Sequence, residues 1–203
     1  MCADYKTHMN SQIKSDSYPI ATEENIFAKF KNANTFAKVD LKSAYWQIEM
    51  DDKAKEWSVI SRPTSLGLFE VNRLQMGMKN SSAIFQRTME GTLKDLKGVI
   101  VYQDDMVVCA ENCDTLKKRL EAVKTRLREK NVTLNETKCV EFTDKLDFLG
   151  FTISSCGIKP DNRFVERIMD IKKPTNMNEV QRFCGLVNFF GRFIPNFSSI
   201  IAQ

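Results

Sequence analysis

Two short apolar runs, residues 99–102 and 106–109, are separated by only Gln103, Asp104 and Asp105. A linker this short reads as a tight antiparallel hairpin, so the stretch places two adjacent carboxylates at a hairpin tip. Neighbouring side chains in extended backbone point to opposite faces, so Asp104 and Asp105 are expected to play unequal roles unless the turn rotates one of them. Such a tip is also what an ordinary solvated turn looks like, because Asp is a common turn residue. The surrounding sequence has to separate these readings.

Upstream, residues 35–50 (TFAKVDLKSAYWQIEM) break near Lys42 and Ser43, and residues 45–50 then alternate like a half-buried strand. Residues 57–61 and 68–74 are also strand-like, whereas Asn80, Ser81 and Ser82 offer N-caps to a helix with Phe85, Met89, Leu93 and Leu96 on one face. A second amphipathic helix, about residues 114–130, carries Leu116, Leu120, Val123 and Leu127 on one stripe; its Lys and Arg residues read as a solvated outer face. Residues 148–153 look like another strand. Past Pro160 the pattern turns helical, with Val180, Phe183, Cys184 and Val187 sharing a face before Pro195. Strands with helices segregated between them predict an α+β fold, a sheet covered by helices on one face.

At 203 residues and 42% hydrophobic content the chain can bury one core, or one core plus a small appendage. Thirty Lys and Arg against 26 Asp and Glu is too mild an excess to announce a nucleic-acid partner. Six cysteines with no C-x-x-C pair, and His8 as the sole histidine, favour free thiols over a zinc site. The N-terminus lacks the apolar core of a signal peptide, and no run approaches the length of a membrane span. A soluble intracellular protein is expected, and the N-x-[ST] matches at Asn80, Asn131, Asn135 and Asn196 are read as chance.

Asp40 follows the first strand-like run and can join Asp104 and Asp105. Phosphoryl transfer by two divalent ions needs carboxylates from separate elements converging on ions about 4 Å apart, and hard oxygen ligands suit magnesium. Three carboxylates without a cation would repel by about 4 kcal/mol per pair at about 4 Å and an effective dielectric of about 20.

Val101-Tyr102-Gln103-Asp104-Asp105 resembles the Y-x-D-D box of reverse transcriptases, and four further stretches follow in the family's order. Val39-Asp40-Leu41-Lys42-Ser43-Ala44-Tyr45 resembles the first catalytic box, residues 74–86 (LQMGMKNSSAIFQ) the box after it, and Phe148-Leu149-Gly150-Phe151 the primer-grip strand. Residues 183–190 (FCGLVNFF) are similar to the F-L-G-L-x-N-Y-Y segment of gypsy-like LTR retrotransposons. The resemblance implies a right-hand polymerase: residues 1–160 as palm with a remnant of fingers, residues 161–203 as the helical start of the thumb or connection.

The resemblance also implies roles. Asp40 and Asp104 would contact both ions, Mg2+ with Mn2+ as a substitute, and Asp105 would complete the cluster less directly. The Leu41 carbonyl would join the metal site, and the Ser43 and Ala44 amides would line the triphosphate region. Tyr45 would lie under the incoming sugar and exclude a 2′-hydroxyl; as a residue pattern it is equally a core tyrosine. Met76 and Gln103 would flank the nucleotide, and Tyr102, Gln75, Gly77, Phe148, Leu149 and Gly150 the primer and template. Gly150 would admit the primer backbone, although a strand glycine also marks bulges. Lys138 matches the lysine that protonates departing pyrophosphate, or is a solvated surface lysine.

The chain departs from the family pattern at Gln75 and Met76, where proline and an aromatic or glutamine are usual, at Ser82 in place of proline, and at Gln103 in place of an apolar residue. Met76 would position a base less firmly. Cys2-Ala3-Asp4-Tyr5-Lys6 resembles the segment that follows the fingertip strands, so the upstream triphosphate clamp has no counterpart. The expectation is therefore a portion of a Pol polyprotein whose other segments are protease, RNase H and integrase. RNA template, DNA primer and dNTPs would be its partners, in a cytoplasmic particle or the nucleus, with no membrane. A catalytically inactive retroelement remnant or domesticated nucleic-acid-binding palm is the alternative, and Tyr45 argues against an RNA-directed RNA polymerase.

Overall fold

The chain enters its first strand through two short helices, α1 (Met9–Gln12) and α2 (Glu23–Lys29). Thr22 starts α2 by accepting from the Asn25 amide, and Glu23 and Glu24 occupy the first turn, where the helix dipole favours acidic side chains. Then follow β1 (Thr35–Asp40), a 3₁₀ turn over Ala44–Gln47, α3 (Asp52–Trp57) and the hairpin β2 (Val59–Ser61) and β3 (Leu68–Glu70). Next are α4 (Ser81–Leu93), β4 (Val99–Tyr102), β5 (Asp105–Ala110), α5 (Cys113–Glu129) and β6 (Val140–Thr143). The remainder comprises β7 (Lys145–Phe148), β8 (Phe151–Ser154), β9 (Gly157–Pro160), α6 (Asn162–Met169), α7 (Met177–Phe189), a 3₁₀ turn at Gly191–Phe193 and α8 (Phe197–Ile201). This computed structural model describes residues 5–7, 9–19, 21–61 and 67–201.

Strands β4, β5, β1 and β6 form one antiparallel sheet in that order. Its inner face, with Ala37, Val39, Val101, Met106, Val108 and Ala110, packs on Phe85, Met89 and Leu93 of α4 and on Leu116, Leu120, Val123 and Leu127 of α5. Each of the buried Val, Leu, Met and Phe side chains among these contributes on the order of 2 kcal/mol relative to exposure. Antiparallel covering of this face agrees with the expected α+β palm. The second face is covered too at its Thr35 end: Phe36 meets Phe30 just after α2 at 5.9 Å between ring centroids. There Cys109 Sγ donates to the Lys29 carbonyl at 3.7 Å.

The polypeptide divides into two compact units, Met1–Thr143 and Asp144–Gln203. The division falls upstream of residue 160 because β7, β8 and β9 pair with one another as a separate three-stranded sheet. In this second unit Phe151 stacks on Phe189 at 5.2 Å and meets Phe190 edge-on at 5.6 Å. Asn176 caps α7 by accepting from the Glu179 amide at 3.0 Å.

Several local expectations need correction. Residues 45–50 are not a strand: Ser43 takes a left-handed conformation (φ 53°) that reverses the chain after β1. The Trp46 and Ile48 amides then bond to the Ser43 and Tyr45 carbonyls. Tyr45 and Ile48, three apart, face the core while Trp46 is 51% exposed, a period-three pattern that six residues of alternation resembled. Trp57 ends a helix rather than starting a strand, because Asp51 caps α3 by accepting from the Ala54 amide at 2.8 Å. Residues 71–74 leave the β2–β3 ladder, and Arg73 bridges Glu49 instead. Residues 148–153 are a hairpin, with Phe148 opposite Phe151 across a turn in which both Leu149 and Gly150 have positive φ. Asn80 occupies the N-cap of α4 but makes no cap bond. Its side chain instead accepts from the Asp16 amide at 3.0 Å and donates to the Lys14 carbonyl at 2.8 Å.

Candidate active site

The Cα register sets Asp40, the last residue of β1, opposite Asp105, the first of β5, and Asp105 opposite Tyr102, the last of β4. Directly opposed residues share a sheet face, so Asp40, Asp105 and Tyr102 stand together on the face away from the α4–α5 core. Lys38, two residues before Asp40, is on this face as well, and its amine pairs with Asp105 at 2.7 Å. The two side chains are 32% and 43% exposed, a partly screened pair that offsets some of the carboxylate repulsion. Lys38 was missed from sequence, although its i–2 spacing from Asp40 in a strand was a usable signal.

Gln103 and Asp104 form the two-residue turn between Tyr102 and Asp105. Gln103 adopts φ 51°, a left-handed conformation disfavoured for a residue with a Cβ. Gln86 of α4, fully buried, holds it there: its Oε1 accepts from the Gln103 amide at 2.8 Å and its Nε2 donates to the Val101 carbonyl at 2.8 Å. The same Nε2 reaches Glu90 at 2.7 Å, and Glu90 accepts from the Tyr18 hydroxyl at 2.5 Å. A glutamine among the apolar positions Phe85, Met89 and Leu93 was the sequence signal for this clamp.

Partial desolvation at this otherwise exposed turn holds the Asp104 carboxyl above its ordinary range, the neighbouring Asp105 and Asp40 carboxylates push the same way, and the Tyr45 hydroxyl opposes them. Tyr45 is only 7% exposed; its ring tilts on Phe85 at 4.9 Å and its hydroxyl lies 3.3 Å from Ser82 Oγ. Its pKa is raised, first by burial and further by the Asp104 charge.

Leu41 bridges Leu134, flanked by the Lys42 amide bonding to the Thr133 carbonyl and the Asn135 amide bonding to the Asp40 carbonyl. In such a pair the residue between the bonds turns its own N–H and C=O away from its partner, so the Leu41 carbonyl is directed away from residues 133–135. The Ser43 and Ala44 amides follow at the left-handed turn and donate to no acceptor among the described residues. Lys138 is exposed and makes no ion pair among the described residues, one residue before Cys139, whose thiol touches the Asp40 amide at 3.3 Å. Gln75 donates to the Arg73 carbonyl at 3.0 Å, Met76 is 56% exposed, and Gly77 has φ 87° with its carbonyl held by Asn10 at 2.9 Å. Phe148, Leu149 and Gly150 belong to the second unit, where an added Cβ at Gly150 would lie 3.4 Å from the Phe189 ring. Cys2, Ala3 and Asp4 of the N-terminal motif, and His8, lie outside the described residues.

Among the described residues no three His, Cys, Asp or Glu side chains form a group that holds a metal ion. Hard oxygen donors that could hold a divalent cation are nevertheless present: the Asp104 carboxyl, which the Asp40 charge helps to raise, the Asp40 carboxylate, and the Leu41 carbonyl. Asp105 is committed to Lys38. Cys109, Cys113, Cys139, Cys156 and Cys184 are free thiols, and no described helix is long and apolar enough to cross a membrane.

The sequence matches the model of the family "Reverse transcriptase (RNA-dependent DNA polymerase)" over residues 2–153. It is 33% identical over 202 residues to the retrovirus-related Pol polyprotein from transposon opus of Drosophila melanogaster, covering 98% of this chain and 20% of that protein. The Pol polyprotein from transposon gypsy of the same organism is 31% identical over 194 residues, covering 95% of this chain and 19% of the relative. The chain thus spans about a fifth of these relatives' lengths. The foamy viral protease-reverse transcriptase solved in complex with double-stranded DNA superposes with a TM-score of 0.91 at 26% identity, over 100% of this chain and 35% of that one. The same viral protein solved with an RNA/DNA hybrid matches with a TM-score of 0.83 at 26% identity, over 98% of this chain and 27% of that chain. With the family model covering most of its length and its carboxylates gathered at one sheet end, this chain belongs to the reverse transcriptase family.

Proposed function

We propose that this chain is the polymerase core of a retroelement reverse transcriptase, extending a DNA primer on an RNA or DNA template with dNTPs. The observation that carries the reading is the register that sets Asp40 opposite Asp105 with Asp104 at the adjoining tip. Two Mg2+ ions, or Mn2+ in their place, held by Asp40, Asp104 and the Leu41 carbonyl, would activate the primer 3′-hydroxyl and stabilise the departing pyrophosphate. Asp105 serves indirectly, fixing Lys38 and supplying charge at the cluster's edge.

Around that centre the chain's own groups orient the nucleotide. The Ser43 and Ala44 amides would donate to the triphosphate, and neutralising and positioning phosphate groups is most of what a protein contributes to such a transfer. Tyr45, packed on the Phe85 ring with its hydroxyl within reach of the Asp104 charge, presents a rigid edge below the sugar and excludes a 2′-hydroxyl. Lys138 donates the proton that leaves with pyrophosphate. Met76 and Gln103 flank the base, while Tyr102, Gln75 and Gly77, and the second unit's Phe148, Leu149 and Gly150, guide template and primer. Protease, RNase H and integrase segments are the partners in the parent polyprotein, within a cytoplasmic particle or the nucleus.

A second reading, a palm that binds nucleic acid without catalysis, is favoured by the commitment of Asp105 to Lys38 and by the polar Gln103 at the tip. Primer extension on an RNA template with Mg2+ separates the two: incorporation of dNTPs by the wild-type chain that disappears in Asp104→Asn, with template binding retained, supports the polymerase. Equal template binding by both proteins with no extension by either selects the second reading. In the active protein, Tyr45→Val should raise ribonucleotide use relative to dNTP at least about tenfold, the scale of discrimination one steric contact yields.

A further inference from the structure

We propose that Gln47 and Cys139 are positioning residues that fasten residues 133–139 along the end of the catalytic strand and thereby set where the Lys138 amine stands. The inference rests on the general-acid reading of Lys138 given above.

Strand β1 is central in its sheet, so Asp40 has one edge toward β5 and another toward the β6 side. β6 starts only at Val140, opposite Lys38, and the β1–β6 register is irregular between Phe36 and Lys38. No strand residue is therefore in place to satisfy the outer main-chain groups of Asp40. Cys139 substitutes for one: its Sγ accepts from the Asp40 amide at 3.3 Å and donates to the Asp40 carbonyl at 3.7 Å, while the Asn135 amide donates to that carbonyl at 2.9 Å. The residue bearing the catalytic carboxylate is thus tied through both of its backbone groups to the segment bearing Lys138.

Gln47 closes the other end. Its Nε2 donates to the Lys42 carbonyl at 2.6 Å and to the Thr133 carbonyl at 2.9 Å, and its Oε1 accepts from the Thr133 amide at 2.6 Å. One amide side chain, projected by the 3₁₀ turn after Ser43, thus staples both strands of the Leu41–Leu134 bridge. Lys138 itself is exposed and pairs with no acidic side chain among the described residues. Its reach is then set by the backbone it hangs from, which turns tightly as the Lys138 and Cys139 amides both bond to the Asn135 carbonyl at 3.0 and 3.2 Å.

The test uses the full chain as Gln47→Leu, Cys139→Ala, Cys139→Ser and Lys138→Ala. Amide hydrogen exchange at Lys42, Asn135 and Asp40 should accelerate about tenfold in Gln47→Leu and Cys139→Ala, the scale of losing one or two hydrogen bonds, with Cys139→Ser restoring most of the protection. Single-turnover incorporation should fall about tenfold in the same two variants with nucleotide Kd unchanged, losing the basic limb of the pH profile that Lys138→Ala also loses. Gln47→Leu combined with Lys138→Ala should be no slower than Lys138→Ala alone. Unchanged exchange overturns the fastening whatever the activity. Faster exchange with a wild-type pH profile, or additive rate losses in the double variant, overturns the link to Lys138. A wild-type chain that incorporates nothing instead refutes the polymerase reading, and the exchange data then judge the fastening separately.

Discussion

Two hairpin turns in this chain have the same length and opposite support. Gln103 and Asp104 join β4 to β5, and Leu149 and Gly150 join β7 to β8; each opens with a residue bearing a side chain in the left-handed region, Gln103 at φ 51° and Leu149 at φ 53°. In the first, a buried polar side chain, Gln86, ties the turn's backbone to α4, and the next residue is Asp104. In the second, Gly150 continues with φ 80°, which gives the two positive φ values of a type I′ turn, and the rings of Phe189 and Phe164 back it. A hydrogen-bond clamp fixes direction while leaving the tip polar. Aromatic backing fixes the turn by apolar contact.

The sharpest way to break this contrast is at Asp104. Asp104→Asn should eliminate nucleotide incorporation and yet stabilise the fold near neutral pH. The native state holds this carboxyl above its ordinary pKa, so stability falls as pH rises from the unfolded to the folded value, and the neutral amide escapes that loss. Urea midpoints should favour the variant above that interval and converge below it; identical midpoints at neutral pH would remove the electrostatic strain from the tip.

Gln86→Leu comes next. It strips partners from the partly buried Gln103 amide and the buried Val101 carbonyl, and with a buried orphan costing about 1–3 kcal/mol and a partly solvated one less, the total loss should be about 2 kcal/mol, read from urea denaturation. A loss well below 1 kcal/mol would mean that the turn holds itself. In the second turn Gly150→Ala should cost about 1–2 kcal/mol, because alanine resists this φ and its Cβ presses on Phe189. Smallest, Leu149→Asn should gain about 0.5–1 kcal/mol, since asparagine tolerates the left-handed region better than leucine. A destabilised Leu149→Asn would show that the leucine side chain contributes packing that outweighs its backbone strain.

The β4–β5 hairpin and α5 were legible because their signals are local: two apolar runs close together, and Leu116, Leu120, Val123 and Leu127 on one stripe. Residues 45–50 were misjudged because six alternating residues fit a strand as well as a 3₁₀ turn, and the left-handed φ at Ser43 that decides between them has no glycine to advertise it. Leu149 hid the β7–β8 turn similarly, since an apolar residue at positive φ reads as continuing strand.

By itself the sequence determined the order of the catalytic boxes, the acidic character of one hairpin tip and the polymerase kinship. Tertiary structure alone decided that Asp40 stands opposite Asp105, that Lys38 takes up Asp105, that Gln86 holds Gln103, and that Cys139 and Gln47 tie Lys138's segment to the strand bearing Asp40. Each of these joins residues from different elements, or from different turns of the backbone. Strand register and left-handed turns set their meeting, and local periodicity carries no record of either.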